Sequence, residues 1–225
     1  MRIGLFGGTF NPIHNGHLKA VCEVQKGFAL DKSYIIPSAI PPHKEQDSIV
    51  DAKDRIEMIR LAVSNSSDIM KSIIISDVEL KRSGPSYSID TVIHFKSIMP
   101  KDSQIYFILG LDAFLEIDTW KSYMDLFLLT IFIVITRFPA EQDDIFIMRK
   151  SLENYLQNRI LLNYKYSDSQ SCYVNDKRKP VFFFDVNPLN ISSTKIREFI
   201  NHGMSIKSLV PEKVEEFIKT KGLYL

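Results

Sequence analysis

Short apolar runs of strand length alternate along this chain with longer segments of helical period. Arg2–Phe6 reads as a strand, and a helix follows from about Gly16 to Gly27 with Asn15 as its N-cap. "SYIIPS" (Ser33–Ser38) is a second strand, which Pro37 ends. Over Asp51–Ser64, Ile56, Ile59, Leu61 and Val63 fall on a mostly apolar side with charges opposite, which predicts a helix. "SIIISD" (72–77) reads as a strand, Ser88–Met99 as a helix and "QIYFILG" (104–110) as another strand. A helical stretch around Trp120 then leads to a strand at Ile131–Thr136. The most apolar segment, Leu126–Ile135, is only ten residues long and contains Thr130, about half of what a bilayer span needs. It reads as a helix end running into a buried strand.

The pattern is fainter over residues 139–180. Asp144–Arg159 is compatible with a helix, and "NYKYSDSQSCYVNDKRKP" (163–180) is polar and loop-like, a surface excursion. Order returns with "VFFFDV" (181–186) as a last strand, followed by helices near 193–202 and 211–221. The alternation predicts an α/β fold, a Rossmann-like open parallel sheet with helices on both faces. No repeat or linker divides the chain. One domain over 1–225 is expected, with a small helical part from about 190 to 225 and a variable excursion at about 139–180. Ligands of such sheets bind at the carboxyl ends of the strands, where Gly7–Gly8, Pro37–Lys44 and Gly110–Asp112 fall.

Charge narrows the partners. With 28 basic and 27 acidic residues the formal net charge is +1, so no broad field draws the chain to nucleic acid or an anionic membrane. Any anion site must be local. Cys22 and Cys172 are far apart and outside any CxxC, which disfavours a disulfide framework or structural zinc. "MRIGLFGG" is not a secretory signal. A reducing, cytoplasmic setting is the expectation.

The candidate chemistry begins at "GLFGGTFNPIHNGHLKA" (4–20). Gly7 and Gly8 stand between a strand and a helix, where free amides and the helix dipole favour an anion that glycine lets come close. The stretch is neither G-x-G-x-x-G nor a Walker loop, and a tight structural turn accounts for two glycines about equally well. His14 and His17 would flank the helix start and face the same anion. A zincin-type metal helix needs His at i and i+4 with Glu between. Here the spacing is i and i+3 with Asn-Gly between, so no protein metal site is expected. Two exposed histidines are the plain alternative. "NISSTKIREF" (190–199) offers a second anion site, with Ser192, Ser193 and Thr194 opening a helix and Lys195 and Arg197 adding charge.

"GGTFNPIHNGHL" resembles the first signature of the nucleotidyltransferase superfamily that carries a (T/H)-x-G-H motif, and its longer form resembles the bacterial nicotinate mononucleotide adenylyltransferases. Asn11 stands where that family more often has Asp. The Ile191–Arg197 stretch is similar to the superfamily's Ile-Ser-Ser-Thr-x-Ile-Arg signature, about 180 residues later. "IPPHKE", "GPSYSIDT", "LGLDAF", Trp120 and Arg137 fall between them in family order, and the tail "LVPEKVEEFIKTKGLYL" resembles the family's end. Ser88 replaces the usual Thr.

The resemblance implies adenylyl transfer from ATP to nicotinate mononucleotide, giving deamido-NAD and pyrophosphate. His17 and His14 would be catalytic. Gly7, Gly8, Thr9, Phe10, Gly110, Asp112, Ile191, Ser192, Ser193, Thr194 and Arg197 would bind ATP and its phosphates. Lys44, Ser86, Tyr87, Ser88, Trp120 and Arg137 would bind the mononucleotide, and Mg²⁺ would arrive with ATP. Sister enzymes acting on nicotinamide mononucleotide or phosphopantetheine, a non-catalytic nucleotide sensor and a metallohydrolase are the rival readings. The Pro-Pro-His-Lys, Ser-Tyr and Trp elements disfavour phosphopantetheine, the intact His17 disfavours a sensor, and a hydrolase lacks ligands. The sequence leaves a homo-oligomer open.

Overall fold

A computed structural model of the chain describes residues 1–40, 49–64, 68–136, 142–186 and 189–225. Lys44 and Arg137 therefore lie outside the described residues. The elements run β1 (Arg2–Gly8), α1 (Asn15–Gly27), β2 (Lys32–Pro37), α2 (Ala52–Val63), α3 (Asp68–Lys71), β3 (Ile73–Ile75), α4 (Ser88–Ile98), β4 (Gln104–Gly110) and α5 (Leu111–Phe114). After a 3₁₀ turn at Ile117–Thr119 come α6 (Tyr123–Leu129), β5 (Ile131–Ile135), α7 (Gln142–Asn158), β6 (Lys165–Ser167), β7 (Cys172–Val174), β8 (Val181–Phe184), α8 (Ser193–Asn201) and α9 (Glu212–Lys221).

Eight strands form one sheet in the order β3-β2-β1-β4-β5-β8-β7-β6. The first six are parallel, and β7 and β6 extend the sheet as an antiparallel hairpin. The order reverses between β1 and β4, so the loops leaving these two strands diverge and open a crevice at their carboxyl ends. Period-two alternation separates two apolar layers. Phe6, Tyr106, Ile108, Ile133 and Ile135 face the helices α1, α2, α8 and α9. Ile3, Leu5, Phe107, Leu109, Phe132 and Val134 face α4, α5, α6 and α7. Leu126–Ile135 does join the end of α6 to the fully buried strand β5.

Three expectations change. The segment read as a loop within 163–180 contains the β6–β7 hairpin, with Tyr166 and Tyr173 packed edge to face across it at 5.3 Å. Three polar residues that stay mostly exposed, as in β6, leave neither an apolar run nor an alternating pattern to register. On α2 the buried stripe is Arg55, Met58, Ile59 and Ala62, so of the four expected residues only Ile59 is fully buried, while Leu61 and Val63 pack partly buried against the core. A charged residue leads it, which a polarity pattern cannot anticipate. The first helix is capped by His14 rather than Asn15, whose side-chain amide donates instead to the Ser208 carbonyl at 2.8 Å.

Arg55 is 1% exposed. Its guanidinium donates to the carbonyls of Thr9 at 2.9 Å, Ser38 at 2.8 Å and Val50 at 3.1 Å, so its burial is compensated by three acceptors. These lie just past β1, just past β2 and just before α2. Burial pulls the guanidinium below its ordinary value, from a value high enough that it stays a cation at neutral pH. Arg55→Met is expected to lower unfolding free energy in urea by about 3 kcal/mol, because it strips a charged donor from buried carbonyls. Arg55→Lys should recover only part of this, since a point charge cannot reach three divergent acceptors. A methionine variant with the wild-type midpoint would refute the role.

Candidate active site

Gly7 and Gly8 end β1 at the crevice. A Cβ on Gly7 would meet nothing within 4 Å, so that backbone borders open space. A Cβ on Gly8 would sit 3.0 Å from the Phe10 ring, so glycine lets the turn close on that ring. Phe10 has φ 49, a left-handed conformation costly for a bulky residue, and its ring is buried at 5.7 Å from Phe6 and 5.1 Å from His17. Burial of the ring holds the strained backbone in place.

The histidine spacing has a physical reason in the structure. His14 caps α1, and its Nδ1 accepts a hydrogen bond from the His17 backbone N–H at 3.3 Å. His17, at the third helical position, reaches back so that its Nδ1 accepts from the His14 N–H, also at 3.3 Å. This is a reciprocal capping box with imidazole in both roles, and a separation of three residues is what such a box requires. The rings stack with centroids 3.6 Å apart. A side chain at Gly16 would push a Cβ to 3.0 Å from His14 Nδ1, so the residue between them must be small. With both Nδ1 atoms accepting, the neutral rings carry their protons on Nε2.

The second signature folds against the first. Ser192 caps α8 by accepting from the Lys195 N–H at 3.2 Å. Ser193 Oγ donates to the Pro12 carbonyl at 2.8 Å, and Arg197 Nη1 donates to the Asn11 carbonyl at 2.9 Å. Asn11 Oδ1 accepts from the Val50 N–H at 3.2 Å and from the Tyr224 hydroxyl at 2.9 Å. Three separate parts of the chain thus converge on Asn11 and Pro12. Two helix N-termini open onto the same space, each with its favourable dipole end towards it.

The cleft between these elements has a volume of about 640 Å³. Both glycines, both histidines, Thr9, Phe10, Ile191, Ser192, Ser193, Thr194 and Arg197 line it, and so do Gly110, Ser86, Ser88 and Trp120. Asp112 and Tyr87 do not. Asp112 is exposed in the first turn of α5, which Gly110 caps, and the Tyr87 ring lies under Lys121 Nζ at 4.6 Å. Tyr87, not a hydroxyl from the Ser86–Ser88 segment, occupies the cap position of α4, without a side-chain bond. Ser86 Oγ instead accepts from the Ala39 N–H at 2.8 Å, fastening this wall to the end of β2.

Glu79 also lines the cleft, and sequence reasoning passed over it. Its carboxylate is buried and accepts from the Thr91 hydroxyl at 2.7 Å and from the Ser86 side chain. Burial pushes its pKa up, against the pull of these two bonds and of Arg82. In the sequence it sits in "SDVELKRSG", which looks like a solvated charged run; only its depth in the fold distinguishes it. Among the described residues no group of three or more His, Cys, Asp or Glu could hold a metal ion, and no helix is long and apolar enough to cross a membrane.

The sequence model of the cytidylyltransferase-like family matches residues 5–199. A protein of Desulfatibacillum aliphaticivorans named "Probable nicotinate-nucleotide adenylyltransferase" is 41% identical over 227 positions covering 100% of both chains. A Geobacter sp. (strain M21) protein of the same name is 38% identical, with 100% of this chain and 99% of its own covered. Among solved structures, the Plasmodium falciparum nicotinic acid mononucleotide adenylyltransferase complexed with NaAD superposes with a TM-score of 0.72 at 20% identity, covering 99% of this chain and 97% of that one. That likeness concerns the fold. Identity sustained from end to end of both chains carries more, and by it this chain belongs to the nicotinate-nucleotide adenylyltransferase family of cytidylyltransferase-like proteins.

Proposed function

We propose that the protein transfers the adenylyl group of ATP to nicotinate mononucleotide, producing deamido-NAD and pyrophosphate in NAD biosynthesis. The observation that carries this reading is the convergence of two helix N-termini, the His14–His17 start of α1 and the Ser192–Thr194 start of α8, on the open face of Gly7. A site that joins two polyanions needs this concentration of donors.

In the proposed reaction a phosphate oxygen of the mononucleotide attacks the α-phosphorus of ATP. A new P–O bond forms as the bond to the bridging α,β-oxygen breaks, and pyrophosphate leaves with that electron pair. A phosphate is already a competent nucleophile, so no covalent enzyme intermediate is needed. The reading assigns His17 Nε2–H to charge developing on the α-phosphate and His14 to the polyphosphate. Ser192, Ser193, Thr194 and Arg197 take the β- and γ-phosphates, and the Gly110 backbone the ribose side. Ser86, Ser88 and Trp120 form the mononucleotide wall, with Lys44 and Arg137 as further expected contacts. Asp112 and Tyr87 keep only indirect parts here. ATP is taken as its magnesium complex, the ion held by phosphates and water rather than by a protein cage. The free thiols of Cys22 and Cys172 support a cytoplasmic setting.

His17→Ala is expected to lower kcat roughly 10²-fold, the usual effect of losing one transition-state donor. The same change removes half of the capping box, so stability should fall by about 1 kcal/mol in thermal melts. Turnover above half of wild type would remove His17 from the mechanism.

Arg197→Ala should raise the KM for ATP much more than that for the mononucleotide, as measured by pyrophosphate release. Equal weakening of the two substrates would show that the α8 site serves both.

Nicotinate mononucleotide is expected to exceed nicotinamide mononucleotide by about tenfold or more in kcat/KM, the worth of one charge-assisted hydrogen bond to the carboxylate. Comparable values would overturn the acid preference and leave adenylyl transfer standing.

A further inference from the structure

Trp120 lines the mononucleotide side of the cleft, yet it belongs to no helix or strand. It follows the 3₁₀ turn at Ile117–Thr119, its N–H donates to the Ile117 carbonyl at 3.0 Å, and its ring meets Phe107 edge-on at 6.2 Å. Its orientation therefore depends on what fixes that turn. The apolar anchor is Ile117, fully buried. The polar anchor is Asp118, whose carboxylate meets Tyr155 and Arg159, at the end of α7 and just beyond it.

Asp118 is held at three atoms. Tyr155 Oη donates to Oδ1 at 2.5 Å and accepts from the Asp118 backbone N–H at 3.3 Å, while Arg159 Nε donates to Oδ2 at 2.6 Å. Tyr155 and Arg159 are four residues apart, so one helical face presents both. Below them Leu152 and Leu156 are fully buried in the layer that contains Phe114 and Phe127, and the Tyr155 ring packs edge-on against Phe114 at 6.1 Å. The clamp therefore rests on a packed base. An exposed ion pair alone would contribute little, and the Arg159 side chain is 69% exposed. The tyrosine bond differs, because it is short, charge-assisted and fixes backbone and side chain together. The Tyr155 hydroxyl first, and Arg159 after it, hold the Asp118 carboxyl below the usual carboxylate range.

We propose that Asp118, Tyr155 and Arg159 form a clamp that sets the orientation of Trp120 against the pyridine ring of the mononucleotide. They are positioning residues acting through Trp120. The clamp gives α7, part of the excursion whose purpose the sequence leaves blank, a task at the active site. It rests on the reading that Trp120 faces the mononucleotide.

Trp120 is the only tryptophan, so emission excited at the red edge, past the absorption of the nine tyrosines, reports this turn alone. Emission, acrylamide quenching and steady-state kinetics would be measured on wild type, Tyr155→Phe, Asp118→Asn and Arg159→Gln. In Tyr155→Phe and Asp118→Asn, emission should shift red and quenching increase without ligand. KM for nicotinate mononucleotide should rise about fivefold to tenfold, the scale of one or two lost hydrogen bonds, with KM for ATP within about twofold of wild type. Arg159→Gln should show the same changes at smaller size. Wild-type emission and mononucleotide KM in both Tyr155→Phe and Asp118→Asn would overturn the clamp. Equal weakening of both substrates with a lowered melting temperature would overturn it too, by showing a merely structural role. If the wild-type chain makes no deamido-NAD the parent function falls, and the emission comparison still decides whether the clamp orients Trp120.

Discussion

The loops that make the cleft depend on one buried cation. At the carboxyl ends of β1 and β2 the parallel ladder stops, and carbonyl groups that would have been paired within a sheet point into protein. Arg55 gathers those of Thr9 and Ser38 together with that of Val50. A lysine could not do this, because only the planar fork offers several fixed donors at divergent angles. The result is that two neighbouring strand ends and the approach to α2 share a single anchor. The Ser38 N–H adds a direct bond to the Gly8 carbonyl at 2.9 Å. Rigidity at the Gly7–Gly8 turn is therefore imposed from beneath, which leaves the Gly7 face clear.

A second set of bonds acts from above. Ser193, Arg197, Val50 and Tyr224 all end on Asn11 or Pro12, bringing α8, the approach to α2 and the last residues of the chain to the same short loop. Burial pushes the Tyr224 hydroxyl well above its ordinary value, so at neutral pH it stays protonated and remains a donor. The Asn11 side-chain oxygen accepts without carrying a negative charge, and that loop can face phosphates without adding repulsion. The two signatures read separately from the sequence are thus mechanically one object.

What the sequence made legible follows from which physics leaves a local trace. β1, β4 and β5 and helices α1, α4 and α9 come from apolar periodicity, and that signal is strong where an element buries a whole face. The helix starts at His14–His17 and Ser192–Thr194 were legible as places in the chain because glycines and hydroxyls punctuate the junctions they occupy, and the structure lines one cleft with both. Arg55 and Glu79 were not, because a charge destined for burial looks in sequence like a charge destined for water. The β6–β7 hairpin was missed because β6 is polar and mostly exposed, whereas the equally short β3 announces itself as an unbroken run of isoleucine. Asn15 looked like the cap because its residue type favours that position, and the structure gives the position to His14 because a second imidazole at the right distance returns the bond.

That last difference alters the chemistry as well as the boundary. If Asn15 were the cap, the two imidazoles would be free to rotate and either ring nitrogen could bear the proton. In the capping box each Nδ1 is engaged by a backbone N–H, so the tautomer is chosen by the fold before any substrate arrives. The Nε2–H groups are then donors whose rings are fixed by two bonds, by stacking on each other and by the Phe10 edge. In the role proposed for these histidines this matters, because a transition state that spreads negative charge over an α-phosphate gains most from donors that need no reorganisation at the moment of reaction. The bonds that start the helix thus also hold the donors in place, so fraying of the first turn of α1 would disorder both together.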